Sequence, residues 1–337
     1  MFPRISIVTP SFNQGRYLEE NILSVIHQGY ANVEHIIIDG GSTDETKQVI
    51  EKYRNQLAYV VSEKDKGQSD AINKGYVKAT GDIINWLNSD DYLAPQALST
   101  IAKAFENPNV NVVAGCSIAF EEGGKQVMLS STLNKKQDLA YHLRFPNINQ
   151  PATYFRKSVM DKFMPLNTNL HYLMDRELWL KYLLQEGIKN TIALDDALVY
   201  FRLHGESKSV SQEEKFDTEY ATMLYHIAKH HNLNEIAELL VIRFGLVKEY
   251  APSFSSYPDK ETMLNMLRFF VVKRGSLVFH KPQFEFAKAA YSLLDIAHYK
   301  PYPEEEKGME RIKIIAGCLG WLHFRAKRKW NHMIPLK

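Results

Sequence analysis

The chain has 337 residues, of which 45% are hydrophobic and 24% are charged, and its formal net charge is +2. This length and composition are typical of a globular protein that can build a large core and two domains. The small net charge argues against nucleic acid as a partner. No apolar run approaches the roughly 20 residues that a bilayer-spanning helix requires.

The compartment is predicted from the cysteines and the first strand. Cys116 and Cys318 lie far apart without metal-ligand spacing, so we expect free thiols in a reducing compartment. The first predicted strand begins a few residues after Met1, which leaves no room for a secretory signal. We therefore expect a cytoplasmic protein, with the inner face of the cell membrane as an option for peripheral binding.

The first part of the chain alternates predicted strands with segments in which apolar residues repeat at helical spacing. The strands are predicted at residues 5–9, 33–38, 57–61, 82–87 and 110–114. Ser42 and Glu45 predict a capping box for the helix after the second strand, and residues 67–79 predict another helix. This βαβα order predicts an α/β fold with a doubly wound, mostly parallel sheet of Rossmann-like type.

The later pattern predicts an antiparallel excursion over residues 116–132 with a turn at Gly123 and Gly124, a helix at 173–184 and a strand at 197–203. The polar stretch 205–214 lacks periodicity and is expected to be a boundary. We therefore expect one domain over residues 1–210 and a helical C-terminal region over residues 211–337.

Directly after the predicted strand at 82–87 comes the tetrapeptide Asn88-Ser89-Asp90-Asp91. In open α/β sheets, ligands bind beyond the carboxyl ends of the strands. Because adjacent carboxylates repel each other, a divalent cation often accompanies them, and a cation here would favour a phosphate-bearing substrate. The structural alternative is a solvated turn before a helix near Pro95, with Asp91 as its cap.

Four other polar segments end a predicted strand or begin a predicted helix at the same sheet edge: residues 9–15, 39–44, 63–75 and 174–180. Asp39 could accept hydrogen bonds from a nucleobase or a ribose. Asp70 shares a helix face with Asn73 and has Lys74 as an i+4 partner. Asp175 could act as a general base. Taken singly, each segment also has a structural explanation as a loop, a glycine turn or a charged helix.

Together these segments resemble the family 2 glycosyltransferases of GT-A fold, and the resemblance covers roughly residues 5–211. It rests on five motifs in the family's order: IVTPSFN at 7–13, IIDGGSTD at 37–44, SDAINKG at 69–75, LNSDD at 87–91 and DRELW at 175–179. The resemblance is strongest to bacterial members that build surface polysaccharides. It implies transfer of a sugar from a nucleotide-diphosphate sugar to an acceptor hydroxyl, with inversion at the anomeric carbon.

The resemblance also implies roles for individual residues. Asp90 would bind Mg²⁺ or Mn²⁺ at the diphosphate, with Asp91 as a direct or an indirect ligand. Asp175 would take the acceptor proton, and Gln150 would lie on the acceptor side. The nucleotide-sugar site would comprise Thr9, Pro10, Asn13, Asp39, Asp65, Asp70, Asn88, Ser89, His204 and Lys208. The acceptor would be a saccharide or a lipid-linked saccharide.

Three of these positions leave alternatives open. His204 is explained as well by a structural role as by contact with the diphosphate, which the neighbouring Arg202 and Lys208 favour. Asn88 stands where the family usually has Asp, which removes a charge and weakens the expected metal affinity. Gly40 stands where the family often has a second Asp, so the preferred base is not defined.

The C-terminal third mixes aromatic and basic residues at 267–274 and 321–330. Tryptophan with Lys and Arg on an apolar helix favours an interfacial anchor on the cytoplasmic membrane surface, which would suit a lipid-linked acceptor. The alternative is an aromatic stripe that faces the core, with a solvated basic rim.

Other classes fit less well. A sugar-nucleotide pyrophosphorylase needs a glycine-rich phosphate loop after the first strand, and a dehydrogenase needs Gly-x-Gly-x-x-Gly there; residues 9–15 have neither. A catalytically weak nucleotide-sugar-binding subunit, or a membrane-docked assembly subunit, is the remaining alternative. Asn88 keeps it open, whereas Asp90, Asp91 and Asp175 argue against it.

Overall fold

The computed structural model of the chain describes residues 2–133, 137–205 and 212–330, the last three of them by their backbone alone. The chain divides into two compact units. Unit 1 comprises Met1–Leu139 and Pro146–Glu213, and unit 2 comprises Ala140–Phe145 and Glu214–Lys337. The boundary predicted at residue 210 lies outside the described residues.

Within the described residues, unit 1 is built on one nine-stranded sheet. Its strands are β1 (Ile5–Ser11), β2 (Val33–Asp39), β3 (Tyr59–Ser62), β4 (Ile83–Trp86), β5 (Tyr92–Leu93), β6 (Val112–Phe120), β7 (Gln126–Leu129), β8 (Thr153–Arg156) and β9 (Thr191–Arg202). The order across the sheet is β3-β2-β1-β4-β8-β6-β9-β5, with β7 beside β6.

The helices of unit 1 follow the strands in chain order. They are α1 (Gly15–Ile26), α2 (Thr46–Lys52), α3 (Gln68–Lys78), α4 (Ala97–Ala104), α6 (Lys157–Met160) and α7 (Met174–Glu186). Helix α5 (Leu139–Arg144), which precedes α6 in sequence, belongs to unit 2 from Ala140 onward. Gly75 lets α3 lie directly on the sheet, because a Cβ atom at this position would come within 2.4 Å of a Val8 methyl group.

The parallel strands β3-β2-β1-β4 confirm the predicted doubly wound α/β core. All seven residues of β1 are buried, as expected for a strand covered on both faces. Beyond β4 the sheet is mixed, because the four-residue strand β8 runs antiparallel to both β4 and β6. The hairpin predicted around Gly123 is present as β6 and β7, and Gly123 has a φ of +69°.

One local prediction was wrong, and one structural alternative is excluded. Ser42 does not form the capping box, since its hydroxyl donates to Asp39 and the N-cap of α2 is Glu45, which makes no side-chain capping bond. Asp44 instead accepts a bond from the backbone N–H of Thr46 at 3.1 Å. Asp91 does not cap the next helix, because α4 begins at Ala97 with Gln96 as its N-cap.

Unit 2 is helical in its described residues. Its helices are α8 (Glu213–His230), α9 (Asn234–Phe244), α10 (Lys260–Phe270), α11 (Lys281–Leu293), α12 (Glu306–Ala316) and α13 (Trp321–Trp330). In this part of the chain and in unit 1 alike, the described helices are too short or too polar to cross a bilayer. Cys116 and Cys318 are free thiols, as expected.

A buried ion pair ties the segment Ala140–Phe145 into unit 2. The Arg144 side chain is 4% exposed and donates to Glu305, which is fully buried, at 2.6 Å. The Arg144 guanidinium also lies 4.0 Å from the ring centroid of Tyr302 and 4.2 Å from that of Tyr141. A buried charge needs such partners because it has lost its hydration.

Candidate active site

The Asp-rich loop follows β4 at the carboxyl edge of the parallel strands. Asn21, on α1, holds this loop: its side-chain amide donates to the carbonyl oxygens of Asn88 and Asp91, both at 2.9 Å. Gln68, at the start of α3, donates to the Asn88 side chain at 2.8 Å. Asn88 is therefore bonded to both helices: its backbone carbonyl accepts from Asn21 of α1, and its side chain accepts from Gln68 of α3.

Asp90 pairs with His204. The Asp90 Oδ2 atom lies 3.0 Å from His204 Nε2, and the two side chains are 20% and 13% exposed. The ring of Tyr17, at the start of α1, lies 5.1 Å from the imidazole. The structure thus brings together two residues that are 114 positions apart in sequence, one from the Asp-rich loop and one from the segment after β9.

Asp91 has a different environment from Asp90. It is 1% exposed, and its Oδ1 atom accepts the backbone N–H of Arg202 at 3.0 Å. Burial raises the pKa of the Asp91 carboxyl well above its usual range, and the negative charge of Asp90 adds to the shift. Asp91 therefore holds the end of β9, and its geometry favours an indirect role over direct metal ligation.

Arg202 links the two sides of this arrangement. Its Nε–H donates to the backbone carbonyl of Asp90 at 3.0 Å, and its own backbone N–H donates to the Asp91 carboxylate. Arg202 is therefore bonded to the Asp-rich loop at two consecutive residues. The guanidinium also pairs with Glu20 and Glu122. These bonds hold Arg202 beside the Asp90–His204 pair.

The donors at this edge fit a divalent cation. Asp90 Oδ2 and His204 Nε2 lie 3.0 Å apart, which is hydrogen-bond distance, and a carboxylate oxygen and an imidazole nitrogen are both donor types that divalent cations accept. The described residues contain no cluster of three His, Cys, Asp or Glu side chains able to hold a metal. A cation here would therefore need further ligands, and the oxygens of a diphosphate are of the type it prefers.

Three residues predicted on the nucleotide side, Thr9, Pro10 and Asp39, are buried. Asp39 is fully buried and accepts hydrogen bonds from the hydroxyls of Ser42 and Ser62, the latter at 2.5 Å. Thr9 is also fully buried, and its hydroxyl lies 2.9 Å from His35 Nε2. These two residues thus lie beneath the surface of the sheet edge, where their side chains bond to neighbouring residues.

Asp65 and Gly40 explain one departure from the family pattern. A Cβ atom on Gly40 would lie 2.7 Å from Asp65 Oδ2 and 3.3 Å from the ring of Phe12. The Asp65 carboxylate, which also accepts the Gly67 N–H at 2.8 Å, therefore lies against the space that a side chain at position 40 would enter. Phe12 is 61% exposed here and offers an aromatic face.

Asn13 shapes the neighbouring loop. It has a φ of +51°, and its side-chain oxygen accepts the backbone N–H of Thr43 at 2.9 Å. Its own N–H donates to the Ser42 hydroxyl at 2.7 Å. Asn13 therefore joins the loop after β1 to the loop after β2. The Ser89 hydroxyl donates to the side chain of Gln14 at 3.3 Å, which connects the same region to the Asp-rich loop.

Helix α3 positions the segment that leads to α7. The Asn73 side chain accepts the N–H of Leu166 at 2.8 Å and donates to its carbonyl at 2.9 Å. Asp70 accepts the N–H of Lys66 at 3.1 Å and pairs with Lys74 at 3.5 Å, which confirms the predicted i+4 contact. The motif at 69–75 thus braces the loop, and Asp70 is engaged at the N-terminus of its own helix.

Asp175 lies in the first turn of α7, as predicted. Its Oδ1 atom accepts the N–H of Arg176 at 2.7 Å, and a carboxylate at a helix N-terminus is stabilised by the helix dipole. Trp179 is fully buried and fixes the helix in the core. Nearby on the same helix, Glu177 and Lys181 form a buried ion pair at 3.0 Å.

Gln150 is buried and bonded to β4. Its side-chain amide donates to Asn85 Oδ1 at 2.9 Å and to the Trp86 carbonyl at 2.8 Å. The residue therefore fixes the strand end from which the Asp-rich loop departs. Lys208, also predicted at the site, lies outside the described residues.

A cavity of about 370 Å³ opens beside the Asp90–His204 pair. It is lined by Tyr17, Glu121, Glu122, Arg202, Leu203, His204 and Gly205. Asn21, Gln68, Glu20 and Glu122 contribute to this region although the sequence motifs did not single them out. Their spacing along the sequence does not predict a site, because only the folding of the sheet brings these residues together.

The chain is similar in sequence to known glycosyltransferases. The family model described as Glycosyl transferase family 2 matches residues 6–163. An uncharacterized glycosyltransferase of Nostoc sp. is 26% identical over 223 residues, which cover 62% of this chain and 67% of that protein. The GalNAc(5)-diNAcBac-PP-undecaprenol beta-1,3-glucosyltransferase of Campylobacter jejuni is 29% identical over 147 residues, or 41% of this chain and 48% of the relative.

Among solved structures, S. aureus TarS 1-349 in complex with UDP-GlcNAc superposes with a TM-score of 0.58 at 17% identity, covering 93% of this chain and 90% of that one. This likeness confirms the GT-A fold. Residues 6–163 form a glycosyltransferase family 2 domain. The chain is therefore a glycosyltransferase.

Proposed function

We propose that this glycosyltransferase is metal-dependent and inverting, and that it moves a sugar from a nucleotide-diphosphate sugar to a hydroxyl of a saccharide or lipid-linked saccharide in cell-surface polysaccharide synthesis. The observation that carries the proposal is the Asp90–His204 pair, with 3.0 Å between Asp90 Oδ2 and His204 Nε2. An oxygen and a nitrogen donor at the ligand-binding edge of an α/β sheet suit a cation that neutralises a diphosphate.

Asp90 and His204 would hold the cation, which when bound supplies Lewis-acid stabilisation of the departing diphosphate. Arg202 positions Asp90 next to His204 by donating a hydrogen bond to the Asp90 carbonyl. The exposed ring of Phe12 beside Asp65 provides a face for stacking and a carboxylate for hydrogen bonding, which suits a nucleoside.

Asp175 is proposed as the general base. Its carboxylate accepts the proton of the acceptor hydroxyl while the hydroxyl oxygen bonds to the anomeric carbon and the bond from that carbon to the diphosphate breaks. A single displacement of this kind inverts the anomeric configuration and needs no covalent intermediate. Positioned bases of this kind typically contribute 10²- to 10⁴-fold to the rate.

The relatives support the choice of substrates. The Campylobacter relative is named for an acceptor saccharide joined through diphosphate to undecaprenol, and TarS was crystallised with UDP-GlcNAc. We propose the same two chemical classes for this chain: a nucleotide-diphosphate sugar as donor, and a saccharide, free or lipid-linked, as acceptor.

The first test is thermal unfolding with uridine, guanosine, thymidine and cytidine diphosphate sugars, each with and without Mn²⁺. A ligand that binds the native state raises the melting temperature. We expect stabilisation by one base type that requires Mn²⁺, and its loss in Asp90→Asn. Asp82→Asn is the matched control, because Asp82 precedes β4 whereas Asp90 follows it. Stabilisation that is independent of Mn²⁺, or unchanged in Asp90→Asn, would contradict the metal site.

The second test separates binding from chemistry. Asp175→Asn should keep the metal-dependent stabilisation but lose donor hydrolysis, whereas Glu186→Gln, at the other end of α7, should keep both. Solution NMR of the sugar first released from an α-linked donor should show the β anomer. Release of the α anomer would refute inversion, and full hydrolysis by Asp175→Asn would refute its role as the base.

A further inference from the structure

The charge of this chain is unevenly distributed along its sequence. Residues 311–337 contain seven Lys and Arg residues and no Asp or Glu, whereas the whole chain has a formal net charge of only +2. The preceding 310 residues therefore carry a net charge of −5. Such a separation gives the end of unit 2 a local positive charge that the overall balance conceals.

Two leucines at the same end of unit 2 are almost fully solvent-exposed. Leu319, in the turn between α12 and α13, is 90% exposed, and Leu322, in the first turn of α13, is 78% exposed. Scattered exposed apolar residues are ordinary, but two that are three positions apart at a helix start form one projecting apolar tip. Lys313, Arg325 and Lys327 are exposed on the adjoining helices.

The tip is held in place by the packing beneath it. Trp321 stacks on Phe324 with 5.7 Å between ring centroids, and both rings contact Phe284 of α11. Lys288, also on α11, donates to the Cys318 carbonyl at 2.7 Å. The aromatic side chains therefore face the core of unit 2, while the leucines are directed outward by a turn that is tied to a neighbouring helix.

We propose that this tip, comprising Leu319 and Leu322 with the exposed basic residues Lys313, Arg325 and Lys327, docks onto an anionic membrane surface. Exposed apolar side chains enter the boundary between headgroups and acyl chains, and Lys and Arg near them are attracted to anionic lipid. Complementary charge is what selects a membrane over other occupants. The inference is independent of the transfer reaction, since docking requires neither donor nor acceptor.

The test is co-sedimentation of the full chain with vesicles of phosphatidylcholine containing phosphatidylglycerol, and with vesicles of phosphatidylcholine alone. We expect binding to the anionic vesicles that weakens with added salt. Leu319→Ser with Leu322→Ser should reduce partitioning about tenfold or more. Arg325→Gln with Lys327→Gln should reduce it about 25-fold, because each basic residue near the surface contributes about fivefold.

Matched variants keep the test specific. Ile242, on α9, is 72% exposed, so Ile242→Ser removes a similar apolar side chain outside the tip and should leave partitioning unchanged. Lys47→Gln with Lys103→Gln removes two exposed charges from unit 1 and should also have no effect. Absence of vesicle binding, or equal losses in the control variants, would overturn the proposal. So would self-association without lipid that Leu319→Ser abolishes, since the tip would then bind a second copy.

Discussion

Replacing Arg202 by Met should weaken cation binding without exposing the core. The Arg202 side chain is 5% exposed and lies 4.8 Å from the ring centroids of both Tyr17 and Phe120. Methionine has a similar length and makes favourable contacts with aromatic rings, so the substitution keeps the packing. It removes the Nε–H bond to the Asp90 carbonyl and the charge between Glu20 and Glu122.

The expected size of the effect follows from the partners that remain. A hydrogen bond from a charged donor contributes about 1.5–3 kcal/mol. Glu20 and Glu122 are 53% and 73% exposed and can return to water, so their pairs add little. Loss of the hydrogen bond to the Asp90 carbonyl should therefore lower Mn²⁺ affinity about 10- to 100-fold, as is typical when a residue that orients a metal ligand is removed.

The assay is Mn²⁺ titration followed by the electron paramagnetic resonance signal of free Mn²⁺, with the nucleoside diphosphate that most stabilises the native chain. Arg156→Met is the control, because Arg156 also donates to a backbone carbonyl, at 2.9 Å, but bonds to Val110. Arg202→Lys should give an intermediate affinity. Unchanged Mn²⁺ affinity in Arg202→Met, with a melting temperature lowered as in Arg156→Met, would refute the positioning role.

Three further predictions concern the supports of the site. Burial lowers the pKa of His35 to about 3, so at acidic pH the unfolded chain binds a proton that the native state does not. The free energy of unfolding should therefore fall as the pH drops below about 6.5, by about 2 kcal/mol at pH 5. Urea titrations should show a smaller loss with pH in His35→Leu. Gly40→Asp should place two carboxylates about 4 Å apart and destabilise the chain by up to about 4 kcal/mol, which calorimetry should detect and Asp65→Asn should relieve. Asn73→Ala should make the Leu166 amide exchange about 10- to 100-fold faster by hydrogen–deuterium exchange, since it loses a bond worth about 1–3 kcal/mol. An unchanged pH slope, an undiminished stability or an unchanged exchange rate would contradict the respective argument.

The elements nearest the site were predictable because their signals are local. The apolar run of β1 and the Asp39 that ends β2 show directly in the sequence, and parallel strands bring their carboxyl ends to one edge. The helix that carries Asp175 was also predicted within two residues of its observed ends. By contrast, β8 has only four residues and no distinctive pattern, so its antiparallel insertion between β4 and β6 was not foreseen.

The sequence alone determined which residues stand at strand ends and helix starts, since that depends on the order of residues within each short segment. Only the tertiary structure decided which of them touch. Arg202 bonds to Asp90 across 112 positions and Asn73 to Leu166 across 93, and neither contact is encoded by spacing. Burial was decided in the same way: Thr9 and Asp39 are enclosed by neighbours that reach them through the sheet, whereas Phe12, between them in sequence, remains exposed. Such contacts depend on strand order and register, which set distances between segments that the sequence lists far apart.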